Sequence, residues 1–385
     1  MTAVGTSTLF EEALGVALAQ VRANLEPFSY IFPDNNTIGN LYPDREPRKD
    51  HVTGGNSGWT TSFWTGQLWL AYELTTDPDF KSVAETHLMS FKDRLDRRVD
   101  VAHHDIGFLY SLSAVAQYTV TKSPDARALA LRAADVLLER WLPGYGVLQA
   151  WGELSDPAFR GRFIIDCMLN LPLLFWAHRQ TERAKYLEVA LEHARQSQRH
   201  LLREDGSSYH TVFVNPDGSF ARTMTHQGAS DSSRWARGQA WTILGFALVH
   251  KLGSQDFGFL ETAKKAADFY LAHLPEDFIC YWDLDLNNVP GEERDSSAAA
   301  IAACGLLELG AQTGEAKYRE AAVLVLESLI KNYANTQVVP RRPLLLEGVY
   351  RKPHGIGINE GCIWGDYYYL EALMRVTNQN WKAYW

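Results

Sequence analysis

Two carboxylates stand in otherwise apolar company: Asp105 opens the stretch HHDIGFLY, and Asp166 lies inside RFIIDCMLN. Burial disfavours the charged form of a carboxyl group, and a second carboxylate nearby raises the pKa of at least one of the two. A pair of this kind keeps a proton available for donation near neutral pH. Asp166, surrounded by Ile164, Ile165, Met168 and Leu169, is the candidate general acid/base. Asp105 is its candidate partner, with helix capping as the alternative role. Asp295, ahead of SSAAAIAA, is read as a helix cap. Asp366, between WG and YYYL, is read as a cap or as a tie for the closing helix.

A second constellation is SRWARGQAW at 233–241. On a helix, residues four apart are neighbours, so Trp235 shares a face with Gln239 and Arg237 with Trp241. Arg237 is a candidate for bidentate binding of a substrate carboxylate while the indoles stack on sugar; an arginine bonded to structural carboxylates or carbonyls is the alternative. His104, His210 and His226 are scattered, with neither an HxH nor an HExxH spacing, so no metal site is expected and hydrogen bonds to sugar hydroxyls are the favoured use.

These groups need elements to hold them. Helical periodicity with capping and stop signals marks segments near 8–24, 61–74, 82–95, 106–121, 125–141, 164–179, 183–201, 232–251, 258–273, 295–312, 316–333 and 363–378. Long alternating strand patterns are missing, with 208–214 the one candidate exception. Every second segment, such as IIDCMLNLPLLFWA, is apolar nearly all round, whereas the others, such as TERAKYLEVALEHARQSQ, carry a charged face. A helix apolar on all sides is buried and an amphipathic one faces solvent. The alternation therefore predicts an all-α (α/α)6 barrel, six inner helices wrapped by six outer ones, in a single domain spanning 1–385. The chemistry-bearing residues cluster just before or in the first turns of the inner helices. One mouth collects them, where unpaired backbone donors and the positive dipole end favour anions.

Composition bounds the ligand. With 46% hydrophobic and 22% charged residues among 385, the chain buries a large core; a net charge of -9 argues against nucleic acid and anionic membranes. Four widely spaced cysteines, at 167, 280, 304 and 362, read as reduced packing thiols. No apolar run of membrane-spanning length occurs, and the first residues lack a basic start followed by an apolar run, so a soluble cytoplasmic protein, monomer or weak homo-oligomer, is expected. The 12 Trp and 17 Tyr suit both core filling and stacking on sugars.

Together the motifs HHDIGFLY, RFIIDCMLNLPLL, THQGASDSSRWARGQAW, DSSAAAIAACGLLEL and IWGDYYYLEAL resemble glycoside hydrolase family 88, the unsaturated glucuronyl hydrolases, over roughly residues 59–378. The resemblance implies the (α/α)6 barrel, no cofactor, and an unsaturated uronyl di- or oligosaccharide as substrate. It implies that Asp166 protonates carbon 4 of the unsaturated ring and then deprotonates water attacking carbon 5. Asp105 matches the partner aspartate. Trp59, His104, Trp151, His210, Gln227, Trp235, Arg237 and Trp241 match the residues around the unsaturated ring and its neighbour. The segment KPHGIGINEGC, just before IWGDYYYL, is the expected place for contacts to the second sugar or to sulfate, and it shows no clear serine–lysine pattern. Three alternatives remain at this level: an unsaturated rhamnogalacturonyl hydrolase on the same barrel, a sugar epimerase, and a non-enzymatic sugar-binding protein.

Overall fold

The computed structural model describes residues 3–46, 52–254, 256–287 and 289–385. Among these residues six helices form a closed inner ring: α2 (Thr61–Thr75), α4 (Ile106–Tyr110) continuing into α5 (Ala116–Thr121), α7 (Leu171–Thr181), α9 (Ala236–Leu252), α11 (Ser296–Thr313) and α13 (Ile363–Thr377). Each packs on the next and α13 closes on α2. Outside them lie α1 (Ala3–Ala23), α3 (Pro78–Asp96), α6 (Pro124–Leu138), α8 (Ala184–His200), α10 (Phe259–Ala272) and α12 (Ala316–Ser328). This is the (α/α)6 barrel that the alternation of helix types predicts. Among the described residues no helix is long and apolar enough to cross a membrane.

The burial pattern shows why each helix takes its ring. In α9 every residue from Ala236 to Val249 is buried, and in α11 every residue from Ser296 to Leu309. In α8 the buried set is a stripe of Tyr186, Val189, Ala190, His193, Ala194, Ser197 and His200, the 3–4 spacing of a helix with one wet face. Each large apolar side chain removed from water contributes about 1.5–3 kcal/mol, so the inner ring is held chiefly by burial on all sides.

One turn recurs where an inner helix hands over to an outer one. Thr75, Thr121, Thr181 and Thr313 each donate their hydroxyl to the carbonyl four residues back and accept the N–H two residues on. The residue between, Thr76, Lys122, Glu182 or Gly314, is left-handed. The next helix then starts within two residues, at Pro78 or Pro124 behind Asp77 and Ser123 caps.

Several boundaries differ from the sequence expectation. The segment 125–141 stops being helical after Leu138, and Trp141 pairs instead in a short hairpin, β1 (Trp141–Leu142) with β2 (Val147–Leu148). The segment 164–179 is broken: β3 (Arg162–Ile164) runs into a 3-10 turn (Ile165–Leu169), and α7 begins only beside Pro172, whose missing N–H suits a first turn and no later one. A π-helical turn at Ser111–Val115 joins α4 to α5. Strands are more numerous than the alternation criterion finds. β3 pairs with β4 (Thr211–Val214), which pairs with β5 (Phe220–Met224), and β6 (Gly348–Arg351) pairs with β7 (Ile356–Glu360). Two to five residues, several buried on both faces, leave no period-2 signature to read.

Candidate active site

A cavity of about 450 Å³ opens at the end of the barrel where the inner helices begin. Its lining includes seven of the ten residues expected there: Trp59, His104, Asp105, Trp151, Asp166, His210 and Gln227. Each arrives by a different route. Trp59 precedes α2 and stacks on Trp364 at 5.1 Å between ring centres; its Nε1 donates to the Tyr350 hydroxyl at 3.3 Å. Asp105 stands at the N-terminal boundary of α4 and makes no capping hydrogen bond, which removes the capping alternative for its carboxylate. Asp166 sits on the 3-10 turn that separates β3 from α7. A regular helix through 164–179 would carry that side chain elsewhere.

The two carboxyl groups are driven apart in proton affinity. Desolvation first, and the charge of Asp105 second, raise the pKa of Asp166 from 3.8 to about 7, against a smaller opposing pull from Arg237. Its Oδ1 is buried and accepts no hydrogen bond from the protein. Asp105 is also buried, which alone would raise its pKa. The neighbouring His104 and His103 imidazoles, a hydrogen bond from His103 and one from Asn170 outweigh that effect and hold it below the usual value. The site thus keeps one carboxylate ionised beside one that holds its proton up to neutrality, the division expected of an acid/base pair.

His104 and His210 are kept neutral. Burial lowers His104 to about 4 and His210 well below its ordinary value, the latter helped by His226, Arg237 and Arg351. His210 leans on Trp235 at 4.2 Å and its Nδ1 pairs with Thr225 Oγ1 at 2.8 Å; His226 lies 5.0 Å from the Trp151 ring. Among the described residues no group of three or more His, Cys, Asp or Glu is placed to hold a metal ion.

Three expected residues do not line the cavity. Arg237 is 1% exposed and is fully engaged by protein: it donates to Asp295 Oδ2 at 3.1 Å, to the Val349 carbonyl at 2.6 Å and to the Tyr350 carbonyl at 2.9 Å. Its guanidinium lies between Trp235 and Trp364, at 4.6 and 4.9 Å. Bonding to a structural carboxylate and to carbonyls, the alternative role for this arginine, is the one the fold realises, and its effect is to seat β6. Trp235 is a buried support beneath His210. Trp241 is wholly buried against Phe108 and Tyr368, each at 5.4 Å. Helix spacing alone does not tell which face of α9 meets the cavity.

Asp295 is the cap it was expected to be, accepting from Ser297 N at 3.1 Å and Ala298 N at 3.3 Å, and it also holds Val349 N at 3.2 Å. Asp366 acts as a tie rather than a cap, accepting from Tyr42 Oη at 2.9 Å and Leu345 N at 3.0 Å. Residues that sequence reasoning missed are Gly58, Asp100, Tyr350 and Arg351, all on the cavity wall beside His103 and Ile164, the sequence neighbours of the two aspartates. Among the described residues, Arg351 is the only lysine or arginine of that wall, no carboxylate lies within ion-pair distance of it, and its buried Nε has no partner. The only available signal was the basic, glycine-punctuated segment that follows it in YRKPHGIGINE.

Over residues 35–372 the chain matches the model of Glycosyl Hydrolase Family 88. An unsaturated glucuronyl hydrolase of Bacillus sp. (strain GL1) is 45% identical over 384 residues, 98% of this chain and 99% of that protein. An unsaturated chondroitin disaccharide hydrolase of Streptococcus pneumoniae is 41% identical over 380 residues, 97% and 93% of the two chains. Among solved structures, that of the Bacillus sp. GL1 glucuronyl hydrolase, described as responsible for the degradation of glycosaminoglycan, aligns with a TM-score of 0.91 at 44% identity, covering 98% of this chain and 99% of that one. A glucuronyl hydrolase structure described as specific for heparin aligns with a TM-score of 0.86 at 28% identity, covering 98% and 99%.

Proposed function

The chain belongs to Glycosyl Hydrolase Family 88, and from that premise we propose that Asp166 is the general acid/base with which it releases the unsaturated uronic acid from the non-reducing end of lyase-generated oligosaccharides. The protein is a glycoside hydrolase of the unsaturated glucuronyl type. The observation that carries the residue assignment is the divided pair: Asp166 raised to about 7 beside an ionised Asp105 in one cavity.

The chemistry follows from the alkene. Carbons 4 and 5 of the substrate form an enol ether with the ring oxygen, so a proton delivered to carbon 4 leaves positive charge shared by carbon 5 and that oxygen. Asp166 delivers it, and the negative Asp105 stabilises the cation that forms. Water adds at carbon 5 and returns its proton to the Asp166 carboxylate, which its dry surroundings make a stronger base than an exposed aspartate. The hemiketal opens to a ketone, and the hemiacetal left at carbon 1 expels the second sugar. Atoms balance with one water consumed. Neutral His104 and His210 donate to or accept from hydroxyls without supplying a competing acid. Trp59 and Trp151 offer ring faces, and Arg351 supplies the positive charge that an anionic sugar needs in a cavity otherwise rich in carboxylates.

The test is incubation with unsaturated disaccharides derived from chondroitin, hyaluronan and heparin while following the ultraviolet absorbance of the conjugated enoate. The expected result is loss of absorbance with release of a reducing sugar. Asp166→Asn should lower kcat by at least about 10²–10⁴-fold while leaving the fold and disaccharide binding intact. Full turnover by that variant refutes the assignment.

A further inference from the structure

Asn170 is wholly buried and does not itself line the cavity, yet its side chain joins the two elements that carry the aspartates. It lies between the 3-10 turn of Asp166 and the start of α7. Its Oδ1 accepts the N–H of Phe108, in the first turn behind Asp105, at 2.7 Å. Its Nδ2 donates to the backbone carbonyl of Asp166 at 3.3 Å and lies close enough to the Asp105 carboxylate to favour its charged form. Its own N–H closes the 3-10 turn on the Cys167 carbonyl at 2.8 Å. Gly107 makes this approach possible: a Cβ there would run into the backbone and the Cβ of Asn170. A buried amide costs stability unless its hydrogen bonds are made, and packing alone would be served as well by leucine. Here the amide bonds to both aspartate-bearing elements.

We infer that Asn170 is a positioning residue that, with the bare backbone of Gly107 against it, locks the N-terminus of α4 to the Asp166 turn and fixes how Asp105 and Asp166 face each other. This rests on the acid/base reading above. Several charged and titratable groups face the pair. His210 ahead of β4, His226 after β5, Arg351 of β6 and Asp100 line the same cavity. His103 and His104 flank Asp105 on its own loop. Cys167 sits behind both aspartates, and Arg237 reaches Asp166 from α9. None of these is bonded through the Asn170 side chain, so a change at Asn170 acts on the pair itself.

Asn170→Ser and Gly107→Ala break the lock from its two sides. Without the amide beside it, Asp105 holds its charge less well. With the aspartates no longer held face to face, the field of Asp105 lifts Asp166 less. Both limbs of the kcat profile therefore move inward, the acid limb upward and the alkaline limb downward. Misplacement of the acid lowers kcat about 10- to 100-fold with KM within about threefold of the parent. A purely structural role would lower the melting temperature and the folded fraction while leaving both limbs where they are. Carboxyl titration of ¹³C-aspartate-labelled protein reads the same convergence without turnover. Unshifted limbs and unshifted carboxyl titrations in both folded variants overturn the proposal. A parent enzyme inactive on every unsaturated disaccharide overturns the reaction instead, and the carboxyl titration still decides the role of Asn170.

Discussion

The burial that raises Asp166 to about 7 acts on activity and on stability with opposite signs. Donation to carbon 4 needs the protonated form, so kcat/KM should fall about tenfold per pH unit above neutrality; a flat profile from pH 6 to 9 would contradict the role. For stability, a carboxyl whose folded pKa lies above its unfolded value is a burden that is absent below about pH 4, grows through the interval and is complete above about pH 7. Asp166→Asn removes it. The variant should therefore be more stable than the parent at pH 8, by at most about 4 kcal/mol, and indistinguishable from it near pH 4, as read by urea unfolding at the two values. At Arg351 the expectation concerns binding: Arg351→Gln should raise KM about 10- to 100-fold for a uronyl disaccharide, the cost of one charge-assisted contact, with little change in melting temperature because no protein carboxylate depends on it. An unchanged KM would place the substrate's anionic group elsewhere.

The elements hold the site through a small number of polar ties. Asp295 caps α11, pairs with Arg237 from α9 and holds β6 by the Val349 N–H, so one carboxylate sets where Tyr350 and Arg351 stand on the cavity wall. Asp295→Ala should cost about 3–5 kcal/mol, because it leaves the buried Arg237 charge without its partner, and should lower the melting temperature accordingly. A shift of only a degree or two would show that the guanidinium is satisfied by the Val349 and Tyr350 carbonyls alone. The threonine turns belong to the same scale. The repeated Thr, left-handed residue, then Pro or Ala two positions on is written in TTDP, TKSP, TERA and TGEA. Each copy looks ordinary alone, and only the shared pair of hydroxyl hydrogen bonds shows that they are one device.

Across the whole molecule, buried histidines dominate the response to acid. His87, His104, His193, His200, His210 and His226 all have folded pKa values lowered chiefly by desolvation, so unfolding takes up protons as pH falls below about 6.5. Asp166 and Asp366, both raised to about 7 by burial, release protons on unfolding over the same range and oppose them, joined by Asp283, which burial also raises. Six histidines against three aspartates leave a net uptake, and stability rises with pH wherever the unfolded chain binds more protons. The unfolding free energy should accordingly decrease from pH 7 to pH 5, by about 1.4 kcal/mol per unit for each net proton taken up. Denaturant titrations at the two values check this, and equal or greater stability at pH 5 would mean that the histidines are solvated in the folded state.

The sequence by itself determined the ring of each helix, because a helix apolar on every side has nowhere to go but inward, and it singled out the two aspartates that line the cavity, because carboxylates in apolar runs are too costly to be incidental. It also determined the family, through motifs whose order is preserved along the chain. Tertiary structure alone decided which side of α9 faces the cavity, and so placed Arg237, Trp235 and Trp241 behind its wall; spacing gives relative faces, never the absolute direction. It decided that Asp166 sits on a 3-10 turn after a strand, since β3 exists only by pairing with β4, a partner nearly fifty residues away. And it decided that Arg351 belongs to the site, because β6 reaches the cavity mouth only after α9 and α11 fix it through Arg237 and Asp295.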